Sequence, residues 1–563
     1  MKLLRHGLWA LTLLACGAAP VRAQQQLLMG SGEKDFARYP EYGITTVVIG
    51  DPNLLATYDA VAPGLLPAGS AVRKDVDHAR RSMRDLCAQA AAQKLAVCFS
   101  TDEVKFPVPV WDQLLKAVPE RGAKNRIDLT SEDFWKFYRA KYREVLKAFP
   151  DVAYVMVRTG ENYASHKKTF AGQTIRGKQI DDAYFRDMQR LINETRRLVV
   201  DEAGRKLVWR TWDLGNEGFH ANTNVYDRIL AGVTNRTGLL VAVKHVQTDY
   251  WQYNDFNPCI GRGGVDQIIE FQCAREYEGK GAYPNYVGGE HGADLRRALA
   301  LGAKGVWSWN FGGGWGGPHL QNDLWVRLNI YATTRLAQHP ELEPAAVAQE
   351  WAARQFGDEA AAGVTAALLP SHECVRKMLY IAPYAQAHRG WLSSRNLTRD
   401  DIIRGEKEMR GQGGIHVIYA EIKTKLVEAL QEKLEAVQFA RDMQAAFEKE
   451  RAHIVAARGQ QVYDEAHTGF VYLHQLSKVM SSYVRGMFLF YRWQETKVPA
   501  DAEAAAKELA AWQQAWDDYR ADIPKLPGAA SLYRSQCEQE ETTTAGAMAD
   551  TCEEALAALK RAR

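Results

Sequence analysis

The chain has 563 residues, and its 71 Lys and Arg against 68 Asp and Glu leave a formal net charge of +3. That balance excludes a protein organised around nucleic-acid binding or a basic membrane-facing patch. Hydrophobic residues at 46% and charged residues at 25% exclude a disordered chain, and the length can bury a large core without disulfide staples.

Residues Met1 to Ala23 read as a signal peptide. Lys2 and Arg5 make a positive start, Leu8 to Ala19 is an apolar run too short to span a membrane, and Val21-Arg22-Ala23 precedes a cleavage point at Gln24. A rival reading is the lipobox Leu13-Leu14-Ala15-Cys16, which would leave Cys16 lipidated, but Leu14 is an unusual residue there. No later stretch reaches the ~18 consecutive apolar residues of a membrane span. The expectation is an exported protein, periplasmic or extracellular, soluble or tethered at Cys16.

From residue 24 to 340, short apolar β-branched runs alternate with amphipathic helices. The expected strands are Gln26–Met29, Gly43–Ile49, Leu95–Phe99, Val152–Val157, Lys206–Arg210, Leu239–His245, Ile268–Cys273 and Gly305–Trp309. Several are continuously hydrophobic, as strands covered on both faces of a parallel sheet are. Between them, Glu132–Phe149 places Phe134, Tyr138, Tyr142 and Val145 on one helical face. Asp182–Ala203 does the same with Phe185, Met188, Ile192 and Val199, and Ala293–Ala303 is a shorter case. Eight such alternations predict an α/β fold, a (β/α)8 TIM barrel.

From residue 341 to 563 strand-like runs largely vanish. Ile418–Arg451, Val455–Trp493 and Asp501–Arg520 are long helical patterns, so the barrel is expected to be followed by a mostly α-helical C-terminal domain. That domain could also form a homodimer interface. Gly411-Gln412-Gly413-Gly414 is a loop between its helices, without the GxxxxGK[ST] pattern of a phosphate site. The cysteines after the leader, Cys87, Cys98, Cys259, Cys273, Cys374, Cys537 and Cys552, show no zinc spacing and read as buried small hydrophobes, with Cys537–Cys552 the expected disulfide if one forms. Asn193, Asn235 and Asn396 stand in N-x-T sequons.

Chemistry in a barrel sits where the strands end at the carboxyl face. There the sequence places Ser100-Thr101-Asp102-Glu103, Arg158-Thr159-Gly160-Glu161, Arg210-Thr211-Trp212, Asp249-Tyr250-Trp251, Arg275-Glu276-Tyr277-Glu278, and Trp309 followed by a Gly-rich run containing Trp315. Paired carboxylates around a cleft suit glycoside cleavage, one donating a proton and another activating water or attacking. Trp rings offer flat apolar surface to sugar rings, and arginine offers a fork for a carboxylate. Against this, any one of Glu161, Asp249 or Glu276 could cap a helix or pair with an arginine, and Asp102, Glu103, Asp255 and Glu278 read as structural or solvated. Of Trp307 and Trp309, one is expected to pack in the core. The convergence, rather than any single residue, points to chemistry. No metal site and no cofactor are expected.

Several of these segments resemble the α-glucuronidases of glycoside hydrolase family 67. Val155-Met156-Val157-Arg158-Thr159-Gly160-Glu161 resembles the family's segment ending in its acid, and Trp209-Arg210-Thr211-Trp212 resembles a uronate-contacting segment. Lys244 to Asp249-Tyr250 and Glu270 to Glu276-Tyr277-Glu278-Gly279 match two further motifs, and the resemblance covers residues 150–385. It implies a general acid at Glu161, a base role shared by Asp249 and Glu276, and inversion. It also implies a uronate contact at Arg210, and the residues at the same strand ends give Arg158, Trp212, Lys244, Tyr250, Trp309 and Trp315 as the other expected substrate contacts. Two features depart from the family. The β-rich domain it carries before the barrel has no room here, and Val157 stands where the family has a lysine, with Arg158 one place later. The reading is therefore an exported glycoside hydrolase taking an α-linked uronic acid, glucuronic or 4-O-methylglucuronic acid, from an oligosaccharide or polysaccharide. The alternatives are a glycosidase of the same fold for a non-uronic sugar, and a non-catalytic carbohydrate-binding protein.

Overall fold

The structure, a computed structural model, describes residues 26–562 except 34, 117–125, 163–167, 176–179, 214–216, 311–322, 389–414 and 528–543. The leader Met1–Ala23 with Cys16, Trp315 in its Gly-rich run, Asn396, Gly411–Gly414 and Cys537 lie outside the described residues.

Eight strands close a barrel: β1 (Leu27–Ser31), β2 (Thr46–Ile49), β3 (Ala96–Asp102), β4 (Val152–Arg158), β5 (Lys206–Arg210), β6 (Leu239–Lys244), β7 (Asp266–Gln272) and β8 (Gly305–Trp309). Each pairs in parallel with its neighbour in chain order, and β8 pairs back to β1 with Leu27 opposite Gly305. Period-two alternation decides which side chains enter. Met29, Cys98, Met156, Val208, Ala242, Ile268 and Trp307 form one cluster inside the barrel. Leu28, Val97, Val155, Leu207, Val241, Ile269 and Val306, one residue away on each strand, join the larger core under the helices. Both faces are buried, which is why these strands read as unbroken apolar runs.

Helices follow six of the strands: α1 (Ala71–Ala92) after β2, α2 (Val108–Lys116) and α3 (Glu132–Ala148) after β3, α4 (Asp182–Arg196) after β4, α5 (Thr223–Ala231) after β5, α6 (Gly288–Ala300) after β7 and α7 (Leu324–Gln338) after β8. The expectation of eight strand–helix alternations is corrected at two places. Two 3-10 turns, Phe36–Arg38 and Pro40–Tyr42, join β1 to β2, and an irregular segment, 245–265, joins β6 to β7. The second segment carries Asn254, Asn257, Pro258, Gly261, Gly263 and Gly264, turn formers that resist a helix, and the Asn257 side chain ties it to the backbone of His220 and Val246. Other boundaries shift for local reasons. The helix expected over Asp182–Ala203 passes into a π-helical turn at Arg197–Glu202. Helix α6 starts at Gly288, before the expected Ala293, because packing of buried His291 and Gly292 overrides the poor propensity of three glycines.

Residues after α7 are helical, as expected. The long patterns break at Lys423–Lys425, a 3-10 turn, and at Gly459, whose φ of +93° a side-chain residue rarely adopts. The centre of this region is the 37-residue helix Gln460–Thr496. It docks on the barrel through Phe470, whose ring lies 5.4 Å from Trp325 of α7. A Cβ at Gly469 would fall 2.3 Å from the Trp325 indole nitrogen, so only glycine allows that approach. Among the described cysteines all are free and all but Cys87 are buried.

Candidate active site

Stepping two residues from the barrel's inner cluster toward the carboxyl ends brings a polar layer. Met156 leads to Arg158, Val208 to Arg210, Ala242 to Lys244 and Ile268 to Glu270, while Trp307 leads to Trp309. On β3 the same step from Cys98 reaches Ser100 and then Asp102. Register sets them side by side: Asp102 opposite Arg158, Arg158 opposite Arg210, and Lys244 opposite Glu270. Val157, standing where the resembled family has lysine, packs in the outer core, so Arg158 is the cation that enters the barrel.

These groups meet as buried ion pairs. Arg210 donates from Nε and Nη2 to both oxygens of Glu270 at 2.7 and 2.5 Å, and its guanidinium lies 4.2 Å from the Trp309 ring and 5.0 Å from Trp307. The Tyr250 hydroxyl donates to Glu270 at 2.5 Å. Glu270 is fully buried, which alone would raise its pKa, but the charges of Arg210 and Lys244 and these hydrogen bonds hold it below the ordinary value. Arg158 grips Asp102 through Nε and Nη2 at 2.6 and 2.9 Å and turns Nη1 to Glu161.

The loops above the strands carry the three carboxylates expected from sequence. Glu161 follows Gly160, where a Cβ would collide with the Asp213 Cα at 2.1 Å, so glycine lets the loop after β4 cross the one after β5. Asp249 sits on the irregular β6–β7 segment. It accepts from Lys244 Nζ at 2.5 Å, from the Tyr277 hydroxyl at 2.7 Å and from the Tyr250 amide at 3.1 Å. Burial pushes its pKa up, but Lys244 and these donors outweigh that and keep the carboxylate ionised. The Lys244 ammonium lies 3.4 Å from the Trp212 ring and 4.4 Å from Tyr250.

The Tyr277 hydroxyl, which donates to Asp249, lies in the field of all three carboxylates. Burial raises its pKa most, and the charges of Asp249, Glu276 and Glu161 all raise it further. Glu276 is itself buried and lies close enough to bear on the buried ammonium of Lys280. Trp251 packs on Tyr277 at 5.5 Å. The mouth thus holds ionised Asp249, neighbouring Glu161 and Glu276, and aromatic walls from Trp212, Trp251 and Trp309, a set that can exchange protons around a flat polyhydroxylated ring. No group of three or more His, Cys, Asp or Glu among the described residues is arranged to hold a metal ion.

Sequence reasoning placed most of these residues at the right strand ends and missed two, Glu270 and Tyr277. Glu270 is an inward position, legible by counting in twos along β7, and neutralises Arg210, as Asp102, read as structural, neutralises Arg158. Tyr277 carries no signal beyond its place next to Glu276. Glu103 and Glu278 are structural as expected: Glu103 pairs with buried Lys141 at 2.6 Å and Glu278 with Arg275 at 2.7 Å. Both Trp307 and Trp309 face inward, Trp307 packed in the barrel core and Trp309 half-buried above it at 5.1 Å.

No family profile matches the sequence, and no curated protein matches it. Among solved structures the chain is similar to a glycoside hydrolase family 138 enzyme targeting pectin rhamnogalacturonan II, at 11% identity and a TM-score of 0.65, over 96% of this chain and 84% of that one. A family 115 4-O-methyl-α-glucuronidase with specificity for decorated arabinogalactans aligns at 11% identity and a TM-score of 0.45, over 89% of this chain and 61% of that one. A family 89 protein from Clostridium perfringens, in complex with GlcNAc-α-1,4-galactose, aligns at 10% identity and 0.47, over 87% and 54%. The neighbours are glycoside hydrolases, and the likeness to the first is one of fold.

Proposed function

We propose that the protein is an exported glycoside hydrolase that removes an α-linked uronic acid, glucuronic or 4-O-methylglucuronic acid, from a polysaccharide-derived chain. The observation that carries this reading is the buried carboxylate of Asp249, hydrogen-bonded to Lys244 at 2.5 Å and to the Tyr277 hydroxyl at 2.7 Å, at the carboxyl-end mouth of a closed barrel whose neighbouring loops carry Glu161 and Glu276. Glu161, which meets Arg158 here, has to leave that contact and take up a proton before it can pass it to the glycosidic oxygen as the bond to the anomeric carbon breaks. Asp249, held ionised by Lys244 and Tyr277, or Glu276 beside it, takes a proton from the water that attacks the same carbon. Trp309 and Trp212 face the sugar ring, and its carboxylate competes for Arg158, Arg210 or Lys244 with the carboxylates those cations already meet, Asp102 and Glu161, Glu270 and Asp249. A polysaccharide substrate also accords with the family 138 neighbour of the same fold, which is described as targeting a pectin.

A second reading, the same reaction on a neutral or amino sugar, is favoured by one feature. The Arg210 fork is spent on Glu270, and Lys244 is paired with Asp249. Matched 4-nitrophenyl α-glycosides with and without the uronic carboxyl separate the two. Turnover of the uronide alone supports the first reading, and turnover of the neutral glycoside alone overturns it. Inversion is checked by the anomeric NMR signal of the first-formed product. A non-catalytic binding protein would instead hold a glycan unchanged after Glu161, Asp249 and Glu276 are replaced together by their amides.

A further inference from the structure

The segment that presents Glu276 and Tyr277 is held in an unusual backbone conformation. Arg275 and Lys280 have φ of +55° and +48°, and Gly279 and Gly281 have φ of +93° and +80°. Side-chain residues rarely occupy this left-handed region unless their surroundings over-determine it. What over-determines it is a buried ionic core. Arg275 donates from Nε and Nη2 to Glu278 Oε2 at 3.0 and 2.7 Å, and the backbone carbonyl of Arg275 accepts from the amides of Glu278 and Lys280 at 2.9 and 3.1 Å. Both side chains are almost completely buried. A carboxylate so placed has to fill its remaining lone pairs with donors. Asn285 Nδ2 reaches Oε2 at 3.0 Å, and Gln252 Nε2 reaches Oε1 at 3.0 Å. The other donor to Oε1, also at 3.0 Å, is the hydroxyl of Tyr380, from the helical region 102 residues further along the chain.

Tyr380 is itself anchored for this task. It is fully buried, and it follows the helix Ser371–Leu379, which grips the barrel at two more points. Ser371 Oγ accepts from the Tyr286 amide at 2.8 Å, and the His372 ring bridges Asn285 Oδ1 at 2.9 Å and Glu290 at 3.0 Å. Behind it, the buried ammonium of Lys433 donates to the backbone carbonyls of Lys377 and Tyr380. Burial holds the Tyr380 phenol well above its ordinary pKa, so it stays a donor across the working range.

We infer that Tyr380 is a positioning residue for the glycosidase site: through Glu278 and Arg275 it fixes the loop that carries Glu276 and aims Tyr277 at Asp249, so that the helical region completes the active site. This rests on the reaction proposed above, and the test has an arm that does not. Tyr380→Phe in the full chain removes one hydroxyl and no bulk. With whichever of the matched 4-nitrophenyl α-glycosides the parent turns over, kcat falls roughly tenfold to a hundredfold, as misplacement of reacting groups by a fraction of an ångström to an ångström does, while KM changes less than about twofold. Amide exchange over residues 274–281 speeds up at the same time. Tyr519→Phe deletes a comparable buried hydroxyl, which meets Tyr472 at 2.7 Å elsewhere in the helical region, and leaves both readouts at the parent values. Should Tyr380→Phe fail to fold, His372→Gln at its half-buried position carries the same two readouts. Unchanged exchange over 274–281 overturns the inference whether or not the glycosidase reading stands. Faster exchange in a protein with no glycosidase activity would leave the loop anchor intact and overturn its catalytic meaning. A kcat loss matched by Tyr519→Phe would reduce Tyr380 to a general stabiliser.

Discussion

Replacing Arg210 by Met tests the inner layer most directly. Glu270 has no exposed surface and meets Arg210 through two hydrogen bonds and Tyr250 through a third. Taking away the guanidinium leaves a carboxylate stranded in the barrel, with Tyr250 as its remaining short donor and Lys244 as its nearest cation. Breaking a buried pair from one side costs about 3–5 kcal/mol, because desolvation of the surviving charge is no longer offset. Methionine keeps the stem packed beneath Trp309 but forfeits the contact of the cation with the indole faces, worth about 0.5–2 kcal/mol. The loss expected for Arg210→Met is therefore about 3.5–7 kcal/mol, and Tyr250→Phe, which removes one bond to a charged acceptor, should cost about 1.5–3 kcal/mol. The double variant Arg210→Met/Glu270→Gln removes both charges and should regain at least about 2 kcal/mol over Arg210→Met alone. Urea unfolding followed by tryptophan fluorescence reads this out, with Trp307 and Trp309 beside the pair as reporters. A loss below about 1 kcal/mol for Arg210→Met, or a double variant whose loss is the plain sum of the singles, would refute the assignment of Glu270 as a buried, ionised partner.

Glu161→Gln should lower kcat by about 10²–10⁴ with an unchanged circular dichroism spectrum; near-full turnover would remove it from the acid role. Asp249→Asn should abolish turnover to a similar extent, and because Lys244 loses its partner at 2.5 Å it should also lower the melting temperature, which differential scanning calorimetry measures. Gly160→Ala forces the loop after β4 away from the Asp213 backbone, so a loss of activity larger than the loss of stability is expected when turnover and urea midpoints are compared. His220 predicts a pH dependence. Burial first, and the Lys244 charge second, push its ring down to about 3, and its Nε2 lies 3.2 Å from the Val246 carbonyl, which needs a proton on that nitrogen. The unfolded chain takes up a proton near pH 6.5 and the folded one only near 3. Stability is therefore lost as pH falls through that window, by up to roughly 1.4 kcal/mol per pH unit from this group. In His220→Gln, urea-derived stability plotted from pH 6 to 4 should fall less steeply by about that amount; equal slopes would show that His220 does not govern acid sensitivity.

The barrel was legible because its signal is local. Alternation and unbroken apolar runs placed eight strands, and the motif segments after them placed Glu161, Asp249 and Glu276. Strand boundaries shifted where a turn residue intervened: Gly43, at a φ of +71°, ends a 3-10 turn, and β2 begins only at Thr46. The β6–β7 connection breaks the regular alternation, because its asparagines, proline and glycines resist a helix. Trp315 and Cys537 lie outside the described residues, so the substrate contact and the disulfide expected there remain sequence expectations.

The sequence by itself determined the period of each element and the chemistry available at each strand end, because side-chain direction along a strand follows from counting in twos. It could not determine partners. Arg210 looked like a hook for substrate, and only closure of the barrel showed its fork turned onto Glu270, 60 residues away. Lys244 likewise meets Asp249 because an irregular loop folds back over its own strand, and Tyr380 reaches Glu278 because a helical region docks against the segment after β7. Such pairings depend on register and on contacts between segments far apart in the chain, and no local pattern records them.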